Sequence, residues 1–418
     1  MGDRGLDVTV RLQMVMSVDL IAKCAFWISV LALGYTYLGY PVLVWLMSRF
    51  AEQPVQLGAI EPTVSIIITA YNEERHLREK LQNTLTLDYP AGKTEIIVAS
   101  DCSSDTTDEI VREFESSGVR LLRQPERLGK TAAQNEAVQL AQGEIILFSD
   151  ATTLYQPDVL GNIVPNFADS SVGCVAGRLI YVDPSESNVG QGAKSYWGYE
   201  SFLKRHESRA CSLIGASGCL YAVRRSAYVP LYNEACSDFI IATKMVEQGL
   251  RTVYEPAAVC TEETNSRADK EMRMRVRVIA QTYTDLWRHR SMLNPFKAGF
   301  YAVQLVSHKV LRYLVPVLLV TLLAASIALA RTSIFFAVIA AAQLLFFLTA
   351  ALSGVLEHFG VSNRLLSLPR YFVLTNLAAL LAFYEFLKGN RYAHWEPIRE
   401  DLSPVPAGSV IVTHRKDR

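Results

Sequence analysis

Val64-Ser65-Ile66-Ile67-Ile68-Thr69-Ala70-Tyr71-Asn72-Glu73-Glu74 is the stretch on which the reading of the whole chain turns. Val64 to Thr69 is apolar and β-branched, without the strict alternation of a strand that faces water on one side. It therefore reads as a strand buried on both faces, stopping on a polar cluster. The same pattern returns downstream. Glu95 to Ala99, Val119 to Leu122 and Glu144 to Phe148 are further strand-like runs. Helical stretches come between them at Glu73 to Leu85, Asp105 to Glu115 and Thr131 to Ala141, with Asp105 as a plausible N-cap. Strand and helix in alternation predict an α/β fold with a mostly parallel sheet covered by helices on both faces.

In such sheets ligands bind beyond the carboxyl ends of the strands. Three strand ends each place a carboxylate there: Glu73 after Ala70-Tyr71-Asn72, Asp101 after Ser100, and Asp150 after Ser149. Each has a simpler use. Glu73 suits the start of a helix electrostatically, Asp105 caps, and Asp101 can close a turn. Asp150 follows a buried strand directly, where an unpaired carboxylate is costly unless a metal or hydrogen bonds compensate it. No G-x-G-x-x-G or G-x-x-x-x-G-K-[ST] loop is present, so neither a dinucleotide fold nor a P-loop is indicated.

Outward from this region the composition changes. Half of the 418 residues are hydrophobic, and the 41 basic and 41 acidic residues cancel, so no global field calls for nucleic acid. Seven dispersed cysteines without C-x-x-C spacing argue against a disulfide framework or a zinc site and fit a reducing cytosol. Cys24 to Ser48 holds no charged residue and exceeds the roughly 20 residues needed to cross a bilayer. Tyr313 to Ala330 and Thr332 to Leu356 are equally free of charge; Tyr371 to Tyr384 is shorter and reads as a third span or an interfacial helix. Pro295 to Arg312 carries an apolar stripe with Lys297, His308, Lys309 and Arg312 elsewhere, as an amphipathic interfacial helix would. The resulting division is an anchor over residues 1–50, a cytosolic domain over 51–294, an interfacial helix over 295–312, a transmembrane region over 313–390 and a tail over 391–418.

Val64–Glu74, Asp101–Thr107, Gly129-Lys130 with Asn135, and Ser149-Asp150-Ala151 together resemble the family 2 glycosyltransferases of GT-A fold. The membrane arrangement is similar to the branch with cellulose, hyaluronan and poly-N-acetylglucosamine synthases. The resemblance runs from about Pro62 to Gln281 and is specific for the superfamily, not for a substrate. It implies a multi-pass enzyme of the inner membrane that uses a nucleotide-sugar, UDP-linked by analogy, and a lipid-linked or glycan hydroxyl acceptor. It implies that Ala70, Tyr71, Glu73, Asp101, Lys130, Asp150, Arg273 and Arg277 bind the donor, with Asp101 on the base and Glu73 on the ribose. Asp150 would hold Mg²⁺ or Mn²⁺, and Gly215, Ser217 and Gly218 would face the acceptor. Asp238, after Ser237, would be the catalytic base; the plain alternative is a cap of the helix Phe239 to Gln248. Asp101, Asp150 and Asp238 are thus expected around one cleft.

Three departures stand out. The D-x-D metal motif is Asp150-Ala151-Thr152, and Ser237 replaces a common acid. In the Q-x-x-R-W region Met274 and Val278 stand for the glutamine and tryptophan, and only Arg277 matches. The missing tryptophan favours addition of one or a few sugars over processive synthesis. The rival readings are a processive synthase and a non-catalytic scaffold of an exopolysaccharide complex.

Overall fold

The computed structural model describes residues 3–182, 188–263, 268–359 and 364–395. Strands β1 (Val64–Ala70), β2 (Thr94–Ser100), β3 (Val119–Arg123) and β4 (Ile145–Asp150) are parallel, with β1 between β2 and β4. Side chains alternate across the sheet. Ile66 and Ile68 pack with Leu77 and Leu81 on one side, and Ile67 packs with Ala133 and Ala137 on the other. A strand covered twice has no polar face to show, which is why this run is apolar throughout.

The second half of the sheet is mixed. Strands β5 (Leu154–Tyr155), β6 (Val172–Val182), β7 (Leu220–Arg224) and β8 (Arg251–Glu263) complete the order β3-β2-β1-β4-β7-β6-β8-β5. β7 is antiparallel to both β4 and β6, β8 is parallel to β6, and β5 is antiparallel to β8. The first two helices, Leu77–Leu85 and Thr107–Glu113, are shorter than the sequence predicts, and the third, Lys130–Leu140, starts and ends one residue earlier. Asp105 does not sit at an N-cap, which is Thr106. Its carboxylate instead accepts the Thr107 N–H at 3.0 Å and the Glu74 N–H at 3.3 Å, tying two strand-end turns together.

Four helices are long and apolar enough to cross a membrane: Ser17–Phe50, Phe300–Leu329, Ile334–Leu356 and Leu366–Leu387. Pro295 to Arg312 is not one helix. Pro295–Ala298 is a single turn that stops at Gly299, whose φ of 57° breaks the helix. Residues 300–329 then run on through a π turn at Val306–Val310. His308 and Arg312 of this stretch turn towards protein, whereas Lys297 is exposed. His308 lies 2.6 Å from Glu207 and 3.1 Å from Glu200, and Arg312 pairs with Glu200; both carboxylates belong to the helix Asn188–Ala210.

The last helix, Arg364–Leu387, leans along the helix Ala268–Arg288. Ala378, Ala379 and Ala382 pack on Ile279 and Ala280, and the Tyr283 ring sits 5.4 and 5.7 Å from Phe383 and Phe386. The chain beyond it folds back onto the sheet domain. The Tyr392 carbonyl accepts from Gln281 at 2.7 Å, and His394 Nε2 lies 2.8 Å from the Arg127 carbonyl.

Candidate active site

The carboxyl ends of β1 and β4, the loop before β7 and the start of the helix Ser237–Glu247 border one cleft of about 720 Å³. At its floor β4 ends on Asp150, which ion-pairs with Lys130. Lys130 opens its helix straight after Gly129, whose φ of 98° only glycine takes readily. Any larger residue there would also meet the Ala393 carbonyl, 2.1 Å from its Cβ. Burial disfavours the Lys130 ammonium, but the charges of Asp150 and Asp238 hold its pKa above the ordinary lysine value.

Asp238 lies opposite. It sits in the first turn of its helix, yet Cys236 is the N-cap and has no side-chain capping bond. The Asp238 carboxylate accepts from the Cys236 thiol at 3.1 Å and faces the cleft. The loop before β7 is drawn against it, with the Ala216 N–H donating to the Asp238 carbonyl at 2.7 Å. A side chain at Gly218 would bring its Cβ within 3.2 Å of Asp238 Oδ2 and 3.6 Å of Lys130 Nζ. This glycine thus keeps the gap between the two poles clear. Ser217 lines the same wall and accepts from Lys204 Nζ at 2.6 Å.

Glu73 lines the cleft, with its carboxylate 3.0 Å from His76 Nδ1, and that hydrogen bond raises the His76 pKa. Arg277 lines it as well. Five expected residues are not among its lining. Ala70 is buried and gives its carbonyl to the Asp101 N–H at 2.9 Å. Tyr71 stands at the rim under the Arg127 guanidinium, 3.9 Å from the ring centre. Asp101 is wholly buried, and its oxygens accept the N–H groups of Leu128 at 2.8 Å and Gly129 at 3.0 Å. It holds the loop that carries Lys130 and is not among the residues that line the cleft. The expectation of three converging aspartates therefore holds for Asp150 and Asp238 and fails for Asp101.

Gly215 packs against Phe239. Arg273 is exposed and pairs with Asp269 at 3.0 Å. Glu271, Met274, Arg275, Arg277, Val278 and Gln281 of this helix line the cleft, and Arg273 does not. Arg275, not Arg273, points inward, between Glu271 at 2.7 Å and the ring of Tyr371 at 4.8 Å.

Asp150 and the Thr152 hydroxyl are hard oxygen donors of the kind Mg²⁺ and Mn²⁺ take. Among the described residues no three acidic, histidine or cysteine side chains gather into a ready-made metal cage.

Residues 65–234 match the family model described as glycosyl transferase family 2. They form a glycosyl transferase family 2 domain. Beta-monoglucosyldiacylglycerol synthase of Trichormus variabilis is 29% identical over 231 residues, covering 54% of this chain and 49% of that protein. Poly-beta-1,6-N-acetyl-D-glucosamine synthase of Staphylococcus aureus is 27% identical over 203 residues, covering 47% and 49%. The chain thus spans about half the length of the curated relatives it matches. A mannosyltransferase from Pyrobaculum calidifontis, solved with GDP-Man and Mn²⁺, superimposes with a TM-score of 0.65 at 24% identity, over 88% of this chain and all of that one. That superposition establishes the fold of the family 2 domain as GT-A-like.

Three residues at or beside the cleft are not among those the sequence singled out. Glu262 lies one residue before the end of β8, on the same rim as Asp150, and had a legible signal, a pair of acids closing a strand-like run. Arg127 and Trp395 had none. Arg127 donates to the Trp395 carbonyl, and the Trp395 ring stands edge-on to Tyr71 at 5.9 Å. Residues this distant in sequence meet only through the path of the C-terminal helix.

Proposed function

We propose that the chain is a membrane-bound inverting glycosyltransferase that moves a sugar from a nucleotide-diphosphate sugar to a lipid-linked or glycan hydroxyl. The observation that carries this reading is the opposition of Asp238 to the Lys130–Asp150 pair across the narrow gap kept by Gly218. Asp238 takes the proton from the acceptor hydroxyl as its oxygen attacks the anomeric carbon. The glycosidic C–O bond breaks on the opposite side, towards Lys130, whose ammonium meets the charge gathering on the diphosphate. One base on one face and one cationic pole on the other give a single displacement with inversion. A divalent cation, Mg²⁺ or Mn²⁺, bound at Asp150 with the diphosphate oxygens would neutralise the leaving group further. The nucleoside lies towards Tyr71, Arg127 and Trp395. A UDP-sugar is the first donor to test and a GDP-sugar the second.

The acceptor enters on the side of Tyr181, Trp197 and Tyr371, an aromatic border suited to a sugar ring. Val278 and Met274 line the cleft where the resemblance has tryptophan and glutamine, which supports addition of one or a few sugars. Product length on a gel separates this from processive synthesis.

The catalytic domain faces the cytosol from the inner membrane. Residues 392–395 touch the same domain that ends before Phe300, so an even number of crossings separates the two. The helices Phe300–Leu329 and Ile334–Leu356 supply these crossings. Arg364–Leu387 stays on the domain's side, seated against Ala268–Arg288.

The test is full-length protein in detergent against a panel of nucleotide-sugars with Mg²⁺ or Mn²⁺, read as released nucleoside diphosphate. Asp238→Asn lowers turnover by about two to four powers of ten and leaves nucleotide affinity unchanged. Wild-type turnover in that variant removes Asp238 as the base. Absence of turnover by the wild type with every donor leaves the scaffold reading.

A further inference from the structure

The cleft has an acid that the proposed chemistry has not yet used. β4 ends on Asp150, and Asp150-Ala151-Thr152 is one carboxylate short of D-x-D. Space supplies what the sequence omits. β5 pairs with β8, Leu154 opposite Thr261 and Tyr155 opposite Cys260, and β6 pairs with β8, Tyr181 opposite Glu262. Strands on both sides fix the register of β8, since a one-residue slip would turn buried Cys260 and Glu262 to the other face together. Glu262 Oε1 accepts the Thr152 hydroxyl at 3.0 Å and lines the cleft beside Asp150. Two carboxylates and a hydroxyl from two strand ends thus share one rim. A cation already stands there, because the Lys130 ammonium pairs with Asp150.

We propose that Glu262 is the second carboxylate of the metal site. In this assignment Asp150 and Glu262 each give an oxygen to the divalent ion that arrives with the diphosphate, and Thr152 orients Glu262 through its hydroxyl proton. Mg²⁺ and Mn²⁺ sites built from one or two carboxylates plus phosphate oxygens need no fuller cage. The Asp-x-Asp pair of neighbours in sequence is replaced by a pair of neighbours in space. The inference rests on the transferase reading for the presence of a metal–nucleotide complex.

Mn²⁺ binding is the measurement, followed by electron paramagnetic resonance on full-length protein in detergent with saturating UDP, and separately with GDP; no turnover is required. Glu262→Gln weakens Mn²⁺ binding about 10- to 100-fold, the usual cost of disturbing a ligand or its partner. Thr152→Asp placed in the Glu262→Gln background recovers most of that loss by rebuilding D-x-D. Equal Mn²⁺ affinity in wild type and Glu262→Gln overturns the assignment, and so does a loss that Thr152→Asp fails to recover. Thermal unfolding checks that each variant folds. Should Glu262→Gln not fold, Thr152→Val is read in the same titration: weaker Mn²⁺ binding supports the assignment and unchanged binding overturns it. Wild-type protein that binds no Mn²⁺ with either nucleotide takes the transferase reading down as well, whereas intact wild-type binding with an unaffected Glu262→Gln sinks this inference alone.

Discussion

Asp101 stands in a motif where a donor-binding acid is expected, and three short contacts with the N–H groups of Leu128 and Gly129 consume its oxygens. Asp101→Ala leaves both amides buried without an acceptor, at about 1–3 kcal/mol for each unsatisfied group. The expected outcome is a clear fall in the thermal midpoint in detergent, partly restored by Asp101→Asn, whose amide oxygen can still accept. A variant as stable as wild type would mean that the loop does not depend on this side chain. Residue identity alone could not separate these uses. The same carboxylate serves a ligand or a loop, and only the positions of nearby donors decide.

The helix Ala268–Arg288 shows what an element adds. Its sequence offers arginines at 273, 275 and 277, and helical geometry sends the first to solvent with Asp269 and turns the second inward. The other end of the helix holds Asp285, fully buried between the Tyr232 hydroxyl and the Cys236 N–H, 3.1 Å away. Cys236 caps the helix that carries Asp238, so Asp285 positions Asp238 without touching it. Burial lifts the Asp285 carboxyl to about 8, against the hydrogen bonds that draw it down. In the unfolded chain it titrates near 3.9. Between about pH 4 and 8 the folded protein keeps a proton that the unfolded chain has lost, so this group's contribution to stability falls as pH rises through that window. Asp285→Asn keeps the acceptor and removes the titration. The fall in thermal midpoint from pH 4.5 to 8 should be shallower in the variant than in wild type, and equal slopes would contradict a raised Asp285.

At the scale of the molecule, the membrane helices are joined to the sheet domain by charge. Glu200 and Glu207 face His308 and Arg312 at a buried junction, and Tyr40 from the first membrane helix donates to Glu207. Removing one partner of a buried pair costs about 3–5 kcal/mol because the other charge is stranded. Arg312→Met should lower the thermal midpoint by several degrees, and Glu200→Gln in the same chain should return part of it. An unchanged midpoint would mean that this junction does not bind the two halves together.

The residues by themselves determined the parallel half of the sheet and the long apolar helices. Both are written in local runs: β1 to β4 are apolar because each is covered twice, and a span must be apolar along its whole length. Asp150 was legible because a strand end fixes where such a carboxylate points, whereas Asp238 was singled out only through the family resemblance. Tertiary structure alone decided the rest. The antiparallel pairings that bring Glu262 beside Thr152, the loop that encloses Asp101, and the return of Trp395 to Tyr71 join residues far apart in the chain. Such contacts depend on register and chain path, which no window of sequence contains.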